Sequence, residues 1–262
     1  MPGNETDVLE FILTNKEDII LNGIGKIKTI KVPKEGSFVE LKSREDLSKV
    51  DSSDSTKKAD FYINDIGISI KQEGSSPLYN KAQRKHLKDF FDFFLFGDRI
   101  TSEIINNLDK EVDRYHQNQR IRDVQFSEIM SEDKFKKILK YLMLDGNADL
   151  KKNNFKAKLI LVAKKKPIVS NDLNLMSFDD FFSKYRTLFV IALRRIWVGQ
   201  LSDSEHSRAL SISRNSENKK WVFNDISGKP NARNGKIWRD NFDKNNRKTV
   251  YYLNINLNSE KK

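Results

Sequence analysis

Apolar positions along the chain alternate between two periods, one helical and one extended. Residues 8–21 (VLEFILTNKEDIIL) carry apolar side chains at helical spacing, and Gly23 and Gly25 then break the pattern. Residues 26–32 (KIKTIKV) and 37–42 (SFVELK) alternate, which predicts strands, and the charged stretch 43–58 predicts a surface loop. Two short runs, 61–64 (FYIN) and 66–71 (IGISIK), predict a β-hairpin turning at Asn64-Asp65. The spacing of Leu87, Phe90, Phe91, Phe94 and Leu95 predicts a long helix over 78–96, with more helix over 101–116, 127–130 and 132–144. Residues 157–163 (AKLILVA) are apolar without interruption, the pattern of a strand covered on both faces. A second long helix is predicted over 178–198 behind Ser177 as N-cap, followed by strands at 209–213, 220–226 and 249–257. Strands interleaved with long helices imply an α/β (α+β) fold, a central mixed β-sheet flanked by helices.

A length of 262 residues fits one domain. Within it, 1–57 reads as an N-terminal region, 58–96 as a hairpin and helix, and 97–150 as a helical region. Residues 151–262 read as a core strand, a long helix and a C-terminal β-region. Lys and Arg number 48 against 37 Asp and Glu, a net charge of +11, which favours an anionic partner, nucleic acid first. Cysteine is absent, which excludes disulfide scaffolds, Cys-ligated zinc and iron–sulfur clusters. No apolar run reaches the roughly 18 residues of a membrane span, and MPGNETDVLE lacks the pattern of a secretory signal. The expectation is a cytoplasmic protein, with abundant Lys, Asn and Ile hinting at a bacterial source. There is no Walker loop, GxGxxG or GxSxG, and the three histidines have no metal-ligand spacing.

The hairpin carries the chemistry. Alternation puts Ile66, Ile68 and Ile70 on one face and Gly67, Ser69 and Lys71 on the other. Pairing of the two strands brings Asp60 and Lys71 together at the open end. A carboxylate there can hold a divalent cation that activates water, and a lysine can orient that water or offset developing negative charge. An aspartate before a strand and a lysine ending one are also ordinary surface features.

The stretch Lys58-Ala59-Asp60 followed by FYINDIGISIKQ resembles the active-site hairpin of the PD-(D/E)XK nucleases, type II restriction endonucleases in particular. Asp60 matches the aspartate that opens one strand, and Lys71 the lysine of the (D/E)-x-K tripeptide in the next. Ala59 stands where the family name has proline, and Ser69 where it has the second acid. Members with an S-x-K tripeptide draw the missing group from elsewhere; the candidates here are Gln83 in the following stretch, Glu73 past the lysine, and Glu40 upstream, with Asp89 farther off. A competing site is the literal E-x-K of Glu40-Leu41-Lys42 with Asp18 upstream. The NKAQR stretch and the C-terminal WVFNDISG…WRDNF…RKTVYYLNI are similar to such enzymes too. The resemblance implies a restriction-endonuclease-like core and Mg²⁺ held by Asp60 with a carboxylate such as Glu40. It also implies sequence-specific hydrolysis of double-stranded DNA by a homodimer.

Basic charge is clustered. Residues 151–166 hold seven lysines and no acid. Lys229, Asn231, Arg233, Asn234, Lys236, Trp238 and Arg239 form a polar stretch with side chains suited to reading bases and meeting phosphates, and Arg84 follows Gln83. Phe90, Phe91, Phe93, Phe94 and Phe96 fall on more than one helical face, as a packed core or a dimer surface requires. Two other readings fit the same charge: a non-catalytic DNA-binding protein, and a structure-specific repair nuclease.

Overall fold

Asn64 and Asp65 both take positive φ, 49° and 64°, the type I′ geometry that matches the twist of a two-residue hairpin. The turn joins β5 (Phe61–Ile63) to β6 (Ile66–Gln72), with Phe61 opposite Ile68 and Ile63 opposite Ile66. Asn64 also fixes this turn to the preceding chain: its Oδ1 accepts from the N–H groups of Lys28 and Thr29, and its Nδ2 donates to the Lys26 carbonyl at 2.8 Å. The computed structural model describes residues 4–34, 36–49, 57–74, 80–116, 123–150, 155–197 and 247–255.

Around the hairpin a six-stranded mixed sheet forms. Before it lie helix α1 (Glu5–Thr14), the small pair β1 (Ile20–Leu21) and β2 (Gly25–Lys26), then β3 (Ile30–Lys34) and β4 (Ser37–Glu40). Between β6 and its parallel neighbour runs a long crossover, as a parallel pairing demands. It contains β7 (Asn80–Gln83), α2 (Leu87–Phe93), α3 (Asp98–His116), β8 (Asp123–Gln125) and α4 (Glu132–Lys140). The chain then adds β9 (Leu159–Ala163), β10 (Leu173–Met176), α5 (Phe178–Tyr185), β11 (Phe189–Trp197) and β12 (Arg247–Ile255). The large sheet runs β10-β9-β6-β5-β3-β4, with only β6 and β9 parallel, and a second antiparallel sheet runs β7-β12-β11-β8. No helix among the described residues is long and apolar enough to cross a membrane.

Strand β9 is buried on both faces, as its unbroken apolar run requires. Leu161 and Ala163 join Ile30, Val32, Phe61, Ile63, Ile68 and Ile70 against Val8, Leu9 and Ile12 of α1. Ile160 and Val162 face the opposite way, into the core built by α2 to α5 and the second sheet. Gly67 lies where the chain before β9 crosses the hairpin; a Cβ there would run into the Lys156 carbonyl. The mixed α/β architecture is therefore the one the sequence pattern implies.

Several elements differ from the pattern. The expected helix over 178–198 ends at Tyr185, and 189–197 is instead a strand paired residue for residue with β12, from Phe189 opposite Ile255 to Trp197 opposite Arg247. An apolar run of this length fits either state, and the long-range partner decides. The expected helix over 78–96 also splits, because Asn80–Gln83 pairs with β12 and only Leu87–Phe93 is α-helical. Helix α1 occupies 5–14 rather than 8–21, and the helix expected at 127–130 is a 3-10 turn over Phe126–Glu128. Strands β8 and β10 carried no alternation strong enough to predict them. The strands expected at 209–213 and 220–226 lie outside the described residues.

Candidate active site

Asp60 is positioned by the ladder it terminates. Its backbone N–H donates to the Ile68 carbonyl at 2.8 Å, and its Oδ2 accepts the Ile70 N–H at 2.6 Å. The side chain thus takes the place of a strand partner and holds its second oxygen at the open end of the hairpin. On the adjacent strand Lys71 Nζ donates to Ser69 Oγ at 2.8 Å, across one pleat of the same face. Ser69 is only 2% exposed, so its hydroxyl fixes the direction of the ammonium.

A third residue arrives from a distant part of the chain. Asn4, 2% exposed, donates through Nδ2 to the carbonyls of Ala163 and Lys164 at 3.2 and 2.9 Å. This ties the start of α1 to the C-terminal end of β9, beside the end of β6 that carries Lys71, since Lys71 is opposite Val162. Glu5 is the next residue, and its carboxylate lies close enough to feel the charges of Asp60, Lys57 and Lys71. Burial, reinforced by the Asp60 charge, pushes Glu5 from an ordinary 4.5 up to about 7. Burial likewise raises Asp60, against the opposing pull of Lys71, the Ile70 N–H, Lys57 and Lys58. Lys58 is lowered to about 8, first by burial and then by Lys71.

Two carboxylates in one poorly solvated corner suit a hard divalent cation. Mg²⁺ is commonly held by one or two carboxylates, with waters and substrate phosphate completing its shell. Glu5 and Asp60 are the residues that would hold it. Among the described residues no cluster of three or more His, Asp or Glu side chains has metal-binding geometry. No family model, no curated protein and no solved structure matches the chain. The functional reading therefore stands on this corner alone.

The other sequence candidates lie apart from it. Glu40 is exposed on the edge strand β4, in a row that runs Glu40, Lys31, Tyr62, Gly67 across the sheet. That places it three strands from β6, about 14 Å away at ~4.8 Å per strand, and Lys71 is four residues farther along. From Asp60, which precedes β5, Glu40 is two strands across and two residues along the sheet. Asp18, Glu40 and Lys42, the competing set, are all exposed. Glu73 follows β6, but it is exposed, its N–H donates to the Ala163 carbonyl, and its charge acts on Lys164. Gln83 is on β7 of the second sheet, opposite Val250, rather than on a helix beside Asp60. Arg84 Nε donates to both oxygens of Asp109, at 3.0 and 2.9 Å, and Tyr251 OH donates to the same carboxylate. Its described role is to join the end of β7 to α3 and β12. Lys229, Asn231, Arg233, Asn234, Lys236, Trp238 and Arg239 lie outside the described residues. Of the five phenylalanines, Phe90, Phe91 and Phe96 are buried, while Phe93 is 53% exposed.

Glu5 is the residue that sequence reasoning missed. An acid in the first turn of a helix is ordinarily explained by the helix dipole. Nothing local marks it as a partner of Asp60, 55 positions on.

Proposed function

We propose that the chain is a Mg²⁺-dependent endonuclease that hydrolyses double-stranded DNA at specific sequences, in the manner of a type II restriction enzyme. The observation that carries this is the pair of anchored side chains at the mouth of the hairpin, Asp60 on the Ile70 N–H and Lys71 on Ser69, with Glu5 near enough for the Asp60 charge to act on it. Glu5 fills the role that Ser69 leaves open in the tripeptide. The cation, when bound, would offset phosphate charge and acidify water. Lys71 orients the attacking water and faces the charge that develops on the phosphate. The water oxygen bonds to phosphorus, one P–O ester bond breaks, the water gives a proton to solvent and the departing oxygen gains one. The net charge of +11 supports a polyanionic substrate. A homodimer, acting in the bacterial cytoplasm, would match a two-fold symmetric DNA site.

Incubation of the purified protein with phage or plasmid DNA, with Mg²⁺ or with EDTA, tests the reading. Sharp bands that need Mg²⁺ are expected. Lys71→Ala should bind DNA yet cut it roughly 10²–10³-fold more slowly. Intact DNA that merely shifts on a native gel would leave a binding protein.

A further inference from the structure

The connection from β9 to β10, Lys164 to Asp172, holds two apolar side chains out in water. Ile168 is 81% exposed and Val169 55%. Single exposed apolar residues are ordinary on a protein surface, but this adjacent pair is braced by a buried acid. Asp172, 8% exposed, accepts the N–H groups of Ile168 and Val169 at 2.9 and 3.2 Å and the Lys164 ammonium at 2.6 Å. Lys164 N–H on the Asp172 carbonyl and Asp172 N–H on the Val169 carbonyl close the loop. Pro167 is buried and borders a hollow shared with Phe11 and Asn15 of α1. A braced loop with β-branched side chains at its tip loses little conformational freedom when a partner covers them.

The loop also carries charge and stands beside the candidate site. Lys164, Lys165 and Lys166 are consecutive and exposed, and of the three only Lys164 has an ion-pair partner among the described residues. Strands β6 and β9 are parallel, so the loop leaves the same end of the sheet as Lys71. Lys71 lies opposite Val162, which places Lys164 one strand across and two residues along. At about 4.8 Å per strand and 3.3 Å per residue that is roughly 8 Å. The span matches two or three nucleotides of one DNA strand at ~3.4 Å each, so a duplex with one phosphate at Lys71 has further phosphates within reach of the loop. Asn4, the residue before Glu5, is bonded to the Lys164 carbonyl itself. We propose that this loop docks on duplex DNA beside the scissile phosphate. Lys165 and Lys166 meet backbone phosphates, and Ile168 and Val169 pack on the sugars and bases of the adjoining groove. The identity of the partner rests on the nuclease reading. Lysines on phosphate add affinity without base preference, and apolar side chains can wedge against base steps.

Three variants of the full chain test this, each altered only at exposed positions: Lys165→Met with Lys166→Met, Ile168→Ser with Val169→Ser, and Lys137→Met on α4 as a charge control. Binding to a plasmid-derived duplex is measured in EDTA from 50 to 200 mM salt. Cleavage is measured in Mg²⁺, and acylation of each lysine by mass spectrometry with and without duplex. The lysine pair should make the plot of log affinity against log salt shallower by about 1–2, since each phosphate contact contributes roughly 0.9. The apolar pair should weaken binding roughly tenfold at unchanged slope, because the contact it loses is not ionic. Duplex should protect Lys165 and Lys166 from acylation in the wild-type chain and leave Lys137 reactive. Wild-type affinity and slope in both loop variants overturn the proposal, and so does an equal change per charge from Lys137→Met. Protection of the two lysines by phosphatidylserine vesicles but not by duplex would overturn it in favour of a membrane surface. If a loop variant fails to fold, protection in the wild-type chain decides. A wild-type chain that binds duplex but cuts none sinks the nuclease reading alone, and the variants still decide the loop.

Discussion

Glu5 titrates near neutrality because α1 delivers it into a corner where water is scarce and Asp60 is already present. Between an ordinary 4.5 and about 7 the folded chain retains a proton that the unfolded chain has released. Stability therefore falls as pH rises through that window and levels off above it. Asp60, also raised, adds a term of the same sign. Glu5→Gln removes one of these two contributions. Urea unfolding at pH 5 and pH 8 should show a smaller difference for Glu5→Gln than for the wild-type chain. An unchanged difference would mean that Glu5 is solvated and not a neighbour of Asp60. The hydroxyl of Ser69 illustrates the same residue-scale logic. As a carboxylate substitute it is a poor ligand, but buried beside Lys71 it is a good anchor for an ammonium.

At the scale of elements, the site depends on a turn that touches none of its side chains. The Asn64-Asp65 turn sets the β5/β6 register, and the register alone places the Ile70 N–H under the Asp60 carboxylate. Asn64→Gly keeps the positive φ but loses three hydrogen bonds to residues 26, 28 and 29. The expected cost is about 0.5–1.5 kcal/mol of stability, read as a shift in the denaturation midpoint, because the Thr29 N–H is partly buried while the Lys26 and Lys28 groups can turn to water. Cleavage at a temperature where the variant remains folded should persist, since the hairpin keeps its turn type. A variant that is folded but inactive would instead show that the contacts to 26–29 hold the site itself. Strand β7 is an element of another kind: its short apolar content gives no local preference, and β12 supplies its ladder.

At the scale of the whole molecule, the surplus of positive charge acts through numbers of phosphates neutralised. A chain that makes 6–10 phosphate contacts should lose roughly 10³–10⁵ in affinity between 50 and 200 mM salt. Duplex binding measured in EDTA across that range checks this, and a flat response would remove nucleic acid as the partner. The two cores divide the labour. One fixes α1 on the sheet and thereby brings Glu5 to the site. The other packs the crossover helices and second sheet over the opposite face, which carries Ser69 and Lys71.

Local pattern was enough for the α/β class, for the hairpin with Asp60 at its mouth and Lys71 on its second strand, and for the doubly covered strand β9. In each case the deciding forces act within a few residues: turn chemistry at Asn64-Asp65, alternation along β6, an unbroken apolar run in β9. Other features required the folded chain. Phe189–Trp197 is apolar enough for helix or strand, and only its nine-residue pairing with β12 selects the strand. Glu40 and Gln83 lie in sequence near the motif or in a suggestive tripeptide, yet strand order carries both of them away from Asp60, while Glu73 is exposed past the end of β6. Glu5 has no such signal and is carried in, because Asn4 anchors α1 to carbonyls some 160 positions later. The residue types for the chemistry are written in the sequence, but which carboxylates share a site is a property of long-range packing, and that is decided only when the sheet closes under the first helix.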